Sequence, residues 1–345
     1  MKRLISFLLI IAIALSLVAC DSISALFGEK DDGVLRVLLF GHSLGHDAMW
    51  MLPDVFANEA PDTKVEMGVL YYSGCPLAAH VIYSYEPAPV YSYIEFNSEQ
   101  DTYWRVAESS GEFRPVTRSD GLDGSNPEYG YSQTSLFALQ RQDWDIVVFQ
   151  GYPWEVTKTP GYDANLIGNF NKLKQYVLDN DIDKDTTPKF AWNMVWGVPD
   201  DDYLIRGTDR TIMDTFFSSF DEYYTKAADI VKDELMPELK LDYVMPSSTA
   251  FINAMSGYKA PNEMFRDGIH ATEFGRIMTS YVWYCTLTGA NIADCKFEPV
   301  NYNYRLDKDA YKKQEDLALS AEDKQTIIEV VGNAISKPYE ITPKA

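Results

Sequence analysis

The 345-residue chain carries 51 acidic against 30 basic side chains, a formal net charge of −21. That balance excludes a nucleic-acid partner, because a phosphate backbone is held by a basic footprint. The length suits one elaborated domain with a large core or two ordinary ones, and the pattern fits a single domain over residues 33–340. With 23 Tyr and 7 Trp the chain has material for a sugar-facing surface, although a core and its rim absorb most aromatics in any protein.

Residues 1–20 stand apart from that domain. Lys2 and Arg3 form a short basic stretch, residues 4–17 are apolar but for Ser6 and Ser16, and Leu17-Val18-Ala19-Cys20 places small residues before a cysteine. This is the pattern of a secretory signal, and it falls short of the roughly 20 apolar residues of a membrane span. It resembles a bacterial lipoprotein signal, which implies that Cys20 becomes the lipidated first residue of the mature chain and anchors it to a membrane. Loss of the two basic residues takes the formal charge from −21 to −23. Residues 21–32, with Glu29-Lys30-Asp31-Asp32, read as a polar tether, and no later segment is long and apolar enough to span a membrane. In an oxidising compartment Cys285 and Cys295 are candidates for a bridge and Cys75 for a buried thiol, but spacing alone leaves the pairing open.

The first apolar run, residues 34–40, reads as a buried strand ending at Gly41-His42-Ser43-Leu44. Residues 47–60 follow a helical period with Asp47 placed to cap it, and Pro61-Asp62 ends it. A second strand over 65–72 runs into the turn Ser73-Gly74-Cys75-Pro76 and a short helix through His80. This alternation predicts a mostly parallel sheet with helices on both faces, a three-layer sandwich with five central strands. Residues 84–131 break the pattern. Two strands, 91–96 and 102–106, read as a hairpin, and a Gly/Asp/Ser-rich loop over 109–130 completes an insertion on the catalytic rim.

Alternation then resumes, with a helix over 134–141 and a strand over 144–150 that ends in Gln150-Gly151. A helix over 164–178 precedes a strand over 189–196, after which Asp200-Asp201-Asp202 reads as a solvated loop rather than a calcium site. A long helix over 211–235, a fifth strand over 241–245 and a helix start over 247–255 follow. Asp267-Gly268-Ile269-His270 precedes a helix over 272–287; residues 298–317 have no clear period, and 321–335 form a last amphipathic helix. The chain has no internal repeat.

The chemistry gathers at the strand ends, where open α/β sheets place their ligands. Ser43 is the candidate nucleophile, and a serine hydroxyl needs a base held against it. Asp267 and His270 stand three apart, so one turn puts both side chains on one side, the carboxylate on one ring nitrogen and the other nitrogen free for Ser43. The N–H groups of Ser43 and Gly74 and the Gln150 side-chain amide are the candidate oxyanion donors. A metal site from His42, His46, Asp47, Asp267 and His270 is the rival reading, but no HxH or HExxH spacing accompanies it, so neither metal nor cofactor is expected. His42, His80, Tyr152, Trp154 and Trp196 are candidates for substrate contact, while Trp192 is better read as core.

Those same blocks resemble the SGNH, or GDSL-like, hydrolase superfamily. Gly41-His42-Ser43-Leu44 matches its first block, Gly74 its second, Gln150-Gly151 stands at its third, and Asp267-Gly268-Ile269-His270 with Gly275 matches its last. The chain is similar to an uncharacterised bacterial branch in which the second block reads like Ser73-Gly74-Cys75-Pro76-Leu77 and ends in a histidine like His80. That branch also carries a Pro-x-x-x-Ala turn like Pro246 to Ala250. The likeness spans residues 34–290, with His42 in place of the usual Asp and Gln150 in place of the usual Asn. It implies a flavodoxin-like sandwich and a serine esterase, lipase or carbohydrate deacetylase that uses no metal. The expectation is a lipid-anchored extracytoplasmic enzyme that removes O-acyl, chiefly acetyl, groups from carbohydrate. The alternative is a glycan-binding lipoprotein on the same fold.

Overall fold

The computed structural model describes residues 32–98, 104–116, 132–183, 186–197, 207–299 and 318–344, with backbone only over 207–210. The signal with Cys20, the tether up to residue 31, and Asp200 to Asp202 lie outside the described residues. Among the described residues no helix is long and apolar enough to cross a membrane.

The described strands are β1 (Val34–Gly41), β2 (Lys64–Tyr71), β3 (Ser92–Asn97), β4 (Arg105–Ala107), β5 (Phe113–Pro115), β6 (Ile146–Phe149), β7 (Lys189–Asn193) and β8 (Tyr243–Met245). They form one sheet in the order β5-β4-β3-β2-β1-β6-β7-β8. The parallel part, β2-β1-β6-β7-β8, has the 2-1-3-4-5 strand order of flavodoxin-like folds. A parallel sheet is covered on both faces, so its strands are largely apolar, β1 being interrupted by Arg36 alone, and successive β1 side chains serve opposite layers. Leu35, Val37 and Leu39 join one core with the helices Leu52–Glu59, Glu273–Thr288 and Ala321–Ser336. Leu38 and Phe40 join the other, with the helices Leu77–Tyr85, Leu166–Asn180 and Phe220–Ile230.

Eight strands, not five, make the sheet among the described residues. The segment read as a rim insertion extends the sheet itself: β3 runs antiparallel along β2 from Tyr71↔Ser92 to Glu66↔Asn97, β4 pairs with β3, and β5 with β4. The β2 edge would otherwise present a row of unpaired backbone groups.

A second difference bears directly on the site. The helix expected over 47–60 is two helices, Ser43–Met49 and Leu52–Glu59, the second with Pro53 in its first turn. Proline removes one N–H donor and tolerates only that position, so the chain restarts there. The N-cap of the first helix is therefore His42 and not Asp47. Cys75, Cys285 and Cys295 are free thiols.

Candidate active site

The strand order reverses between β1 and β6, the place where such sheets bind ligands at their carboxyl ends. Ser43 stands there as the first residue of its helix, directly after β1. His42 has extended backbone geometry, and its Nδ1 accepts the Leu44 N–H at 3.4 Å. Its Nε2 lies 3.5 Å from the Gly151 carbonyl, so the ring ties the turn of Ser43, the candidate nucleophile, to the loop after β6. Burial pushes the His42 pKa down to about 4, against the pull of that carbonyl and with a small push from His270. The ring is therefore neutral near pH 7 and keeps its acceptor nitrogen.

Beyond the turn, Gly45 faces the Gln150 side chain so closely that a Cβ there would sit 2.0 Å from Oε1. Gln150 is fully buried, and its Oε1 accepts from Asn193 Nδ2 at 3.2 Å. Asn193 Oδ1 in turn accepts from Ser247 Oγ at 2.8 Å. This buried chain joins the ends of β6, β7 and β8 and encloses Gln150, the expected oxyanion donor, through its Oε1. Its Nε2 is enclosed and has no partner among the described residues. Gln150→Leu is accordingly expected to cost about 1–3 kcal/mol in urea unfolding, the penalty for stranding a buried Asn193 donor. An oxyanion donor would show instead as a loss of about 10²–10³ in kcat with stability unchanged.

The candidate base, His270, and its carboxylate, Asp267, come from the loop before helix Glu273–Thr288. Asp267 Oδ1 accepts the N–H groups of Ile269 at 3.2 Å and His270 at 2.9 Å, while Oδ2 meets His270 Nδ1 at 2.7 Å. Gly268, at φ +94°, permits the tight turn. Burial works to raise the Asp267 carboxyl, but the His270 bond and the two amides outweigh it and hold it below its ordinary value. With Nδ1 taken by a carboxylate, Nε2 is the nitrogen left to act as base. Among the described residues no hydrogen bond joins His270 to the Ser43 hydroxyl.

Two acidic side chains missed in the sequence hold these loops together. Asp47, read as a cap or a ligand, is 3% exposed and pairs with Arg276 Nη2 at 2.6 Å and Arg266 Nη1 at 3.3 Å. It also accepts the Ala271 N–H at 2.9 Å. Burial alone would raise its pKa, and the two guanidiniums reverse that and hold the carboxyl well below the usual range. Glu155, fully buried, accepts the N–H groups of Leu77 at 2.8 Å, Ala78 at 3.2 Å and Tyr152 at 3.2 Å. It thus fastens the loop after β2 to the loop after β6. A carboxylate three residues after a helix start is a recognisable signal for Glu155; the role of Asp47 has no local signal, because its partners lie more than two hundred residues away.

Gly74 stands exposed at φ +61°, beside the Tyr152 ring, in a conformation that favours glycine. Tyr152 is half-buried, packs edge-on to His42 at 5.8 Å and stacks on Tyr162 at 5.9 Å. Tyr72 and Tyr83 lie together at 5.5 Å. Among the described residues no acceptor takes the Ser43 or Gly74 N–H. Three other expected contact residues are core instead. His80 is fully buried, stacked on Tyr91 and bonded to its hydroxyl at 2.9 Å, and Trp154 packs on Phe217 and Tyr223. Trp196 stacks on Phe251 at 4.2 Å and donates to the Ile269 carbonyl at 2.8 Å, so it braces the His270 loop from inside. His42, 1% exposed, likewise acts within the fold rather than on its surface. Trp192 is core, 1% exposed.

No protein-family model matches the chain, and no curated protein matches it. Among solved structures it is similar to a DUF4886 family protein from Bacteroides uniformis ATCC 8492, with a TM-score of 0.64 and 20% identity over 90% of this chain and 97% of that one. A second structure, described as "a putative SGNH hydrolase" from Slackia heliotrinireducens, has a TM-score of 0.43 and 15% identity over 74% of this chain and 99% of that one. The first likeness extends over nearly the whole of both chains and concerns the fold; the second is too distant to carry an argument.

Proposed function

We propose that the chain is a serine ester hydrolase with Ser43 as nucleophile, His270 as general base and Asp267 as the carboxylate that orients it. The observation that carries this reading is the 2.7 Å Asp267–His270 contact in a loop pinned by Asp47 to the helix that begins at Ser43. His270 Nε2 takes the Ser43 proton as Oγ attacks the ester carbonyl, and returns it to the departing alcohol. A water activated in the same way then releases the acid. The oxyanion falls to the Ser43 and Gly74 amides, which have no other acceptor among the described residues.

The substrate class is an O-acylated, chiefly O-acetylated, carbohydrate outside the cytoplasm. Support comes from the half-buried Tyr72, Tyr83, Tyr152 and Tyr162 near Gly74 and His42 and from the lipoprotein-like leader ending at Cys20. Lipidation at Cys20 and extracytoplasmic placement belong to the same proposal. The missing Ser43–His270 bond and the buried His42 and Gln150 favour one alternative, a glycan-binding lipoprotein without turnover.

Intact-mass labelling of the full chain with a fluorophosphonate separates the two. One adduct on the wild type, absent from Ser43→Ala and His270→Ala, is the result expected of the hydrolase. A folded wild type that takes no label, yet binds glycans unchanged after Ser43→Ala, supports the binding protein and refutes the hydrolase.

A further inference from the structure

We infer that Asp47 is a positioning residue that sets where His270 stands relative to Ser43, an inference that rests on the hydrolase reading. Asp47 follows Ser43 by four residues on one helix, so the two side chains share a face. Its Oδ2 accepts the N–H of Ala271, the residue next to His270, at 2.9 Å. Its Oδ1 accepts from Arg276 Nε at 2.8 Å, on the helix that follows the loop. Arg266 Nη1 approaches both Asp47 oxygens, at 3.4 and 3.3 Å, and also donates to the Ala271 carbonyl. Both backbone groups of Ala271 are thereby tied to one carboxylate–guanidinium unit rooted in the nucleophile's helix.

The bonds of Asp267 stay inside the loop, on Ile269 and His270. They orient the imidazole ring, and the Arg266 N–H to His270 carbonyl bond and the Trp196 bond to the Ile269 carbonyl brace the loop itself, but none of these reaches the helix that carries Ser43. Asp47 joins the two directly through its bonds to Ala271 and Arg266, and a displacement of about 1 Å between nucleophile and base is enough to cost a factor of about 100. Stability is the weaker explanation for the cluster, because a buried ion pair gains little over apolar packing of the same volume. One arginine already balances the carboxylate, and the second reaches the loop backbone.

The test uses the full-length chain in detergent with Arg266→Met, Arg266→Lys and Asp47→Asn. Hydrogen exchange at the Ala271 amide is read beside saturation kinetics of fluorophosphonate labelling, which separate the maximum rate from the half-saturating concentration. In the wild type the Ala271 N–H is expected to exchange slowly. Arg266→Met keeps the Asp47–Arg276 pair, so it should stay folded, lose protection at Ala271 and label about 10-fold more slowly at saturation, with half-saturation within about 2-fold. Arg266→Lys should recover part of the rate. Asp47→Asn should lose about 100-fold; if it does not fold, Arg266→Met alone carries the test. Fast exchange of Ala271 in the wild type, an unchanged maximum rate in folded Arg266→Met, or a loss confined to half-saturation each overturns the positioning role. A wild type that takes no label overturns the hydrolase reading on which this role rests; the two failures are distinct, because in the first the wild type is still labelled.

Discussion

Ester hydrolysis, measured as kcat/KM on 4-nitrophenyl acetate, is expected to fall by about 10⁴-fold or more in Ser43→Ala and in His270→Ala, with no further loss in the double variant. Groups that act as a unit lose together, because a base without its nucleophile, or the reverse, contributes nothing. Asp267→Asn is the more informative change. The carboxylate holds His270 Nδ1 at 2.7 Å and accepts two loop amides. An amide in its place presents an NH₂ to that nitrogen, which favours the tautomer with the proton on Nε2, where the base must accept one. A loss of about 10²–10⁴ in kcat with KM little changed follows from that tautomer argument. Full activity in Asp267→Asn beside an inactive Ser43→Ala would remove Asp267 from the machinery and leave it as a turn residue.

The free energy of unfolding should fall steeply as the pH drops below about 6.5, where an unperturbed histidine begins to protonate. Three buried histidines are responsible. Burial pushes His42 down to about 4 and His46 and His80 to about 3. For each, the folded pKa lies below the unfolded one. Stability is therefore complete above the unfolded value and is lost as the unfolded chain takes up protons that the folded chain refuses. Each such group contributes a slope of up to about 1.4 kcal/mol per pH unit, or about 4 for the three together, between pH 6 and 4. Asp47, whose carboxyl is held down by Arg266 and Arg276 against burial, adds its own loss only below the ordinary carboxylate range. Urea unfolding at pH 7, 6 and 5 measures the slope, and His80→Phe should reduce it by about a third whatever it does to the absolute value. Stability unchanged from pH 7 to 5 would contradict the burial of these rings.

The parts of the fold legible in the sequence are those whose signal is local. Residues 34–40, but for Arg36, and 146–149 are apolar because a central parallel strand is covered on both faces, and they fall within β1 and β6. Ser43, Gly74 and the Asp267–His270 pair sit at strand and helix boundaries that glycine and turn chemistry announce. The membership of β3, β4 and β5 in the sheet was not legible, since which edge a hairpin joins depends on the unpaired face of β2 and not on the hairpin's own pattern. The start of the first helix was misread for a related reason: a histidine cap is uncommon beside Ser, Thr, Asp or Asn, and Asp47 drew the boundary to itself.

The candidate site divides along the same line. The Asp267–His270 contact spans three residues, so its spacing alone was enough to suggest it. Exposure is a property of the whole packed object, and it moved His80, Trp154 and Trp196 from the expected substrate surface into the core. It also enclosed Gln150 in a chain with Asn193 and Ser247. By itself the sequence determined which residue types stand at the ends of the parallel strands and in what order, because strand period and turn chemistry act over a few residues. Only the tertiary structure decided which of them meet. The bonds from Asp47 to Ala271 and Arg276, across more than two hundred positions, exist because Ser43–Met49 and Glu273–Thr288 pack into the same apolar layer against β1, and no local pattern encodes that encounter.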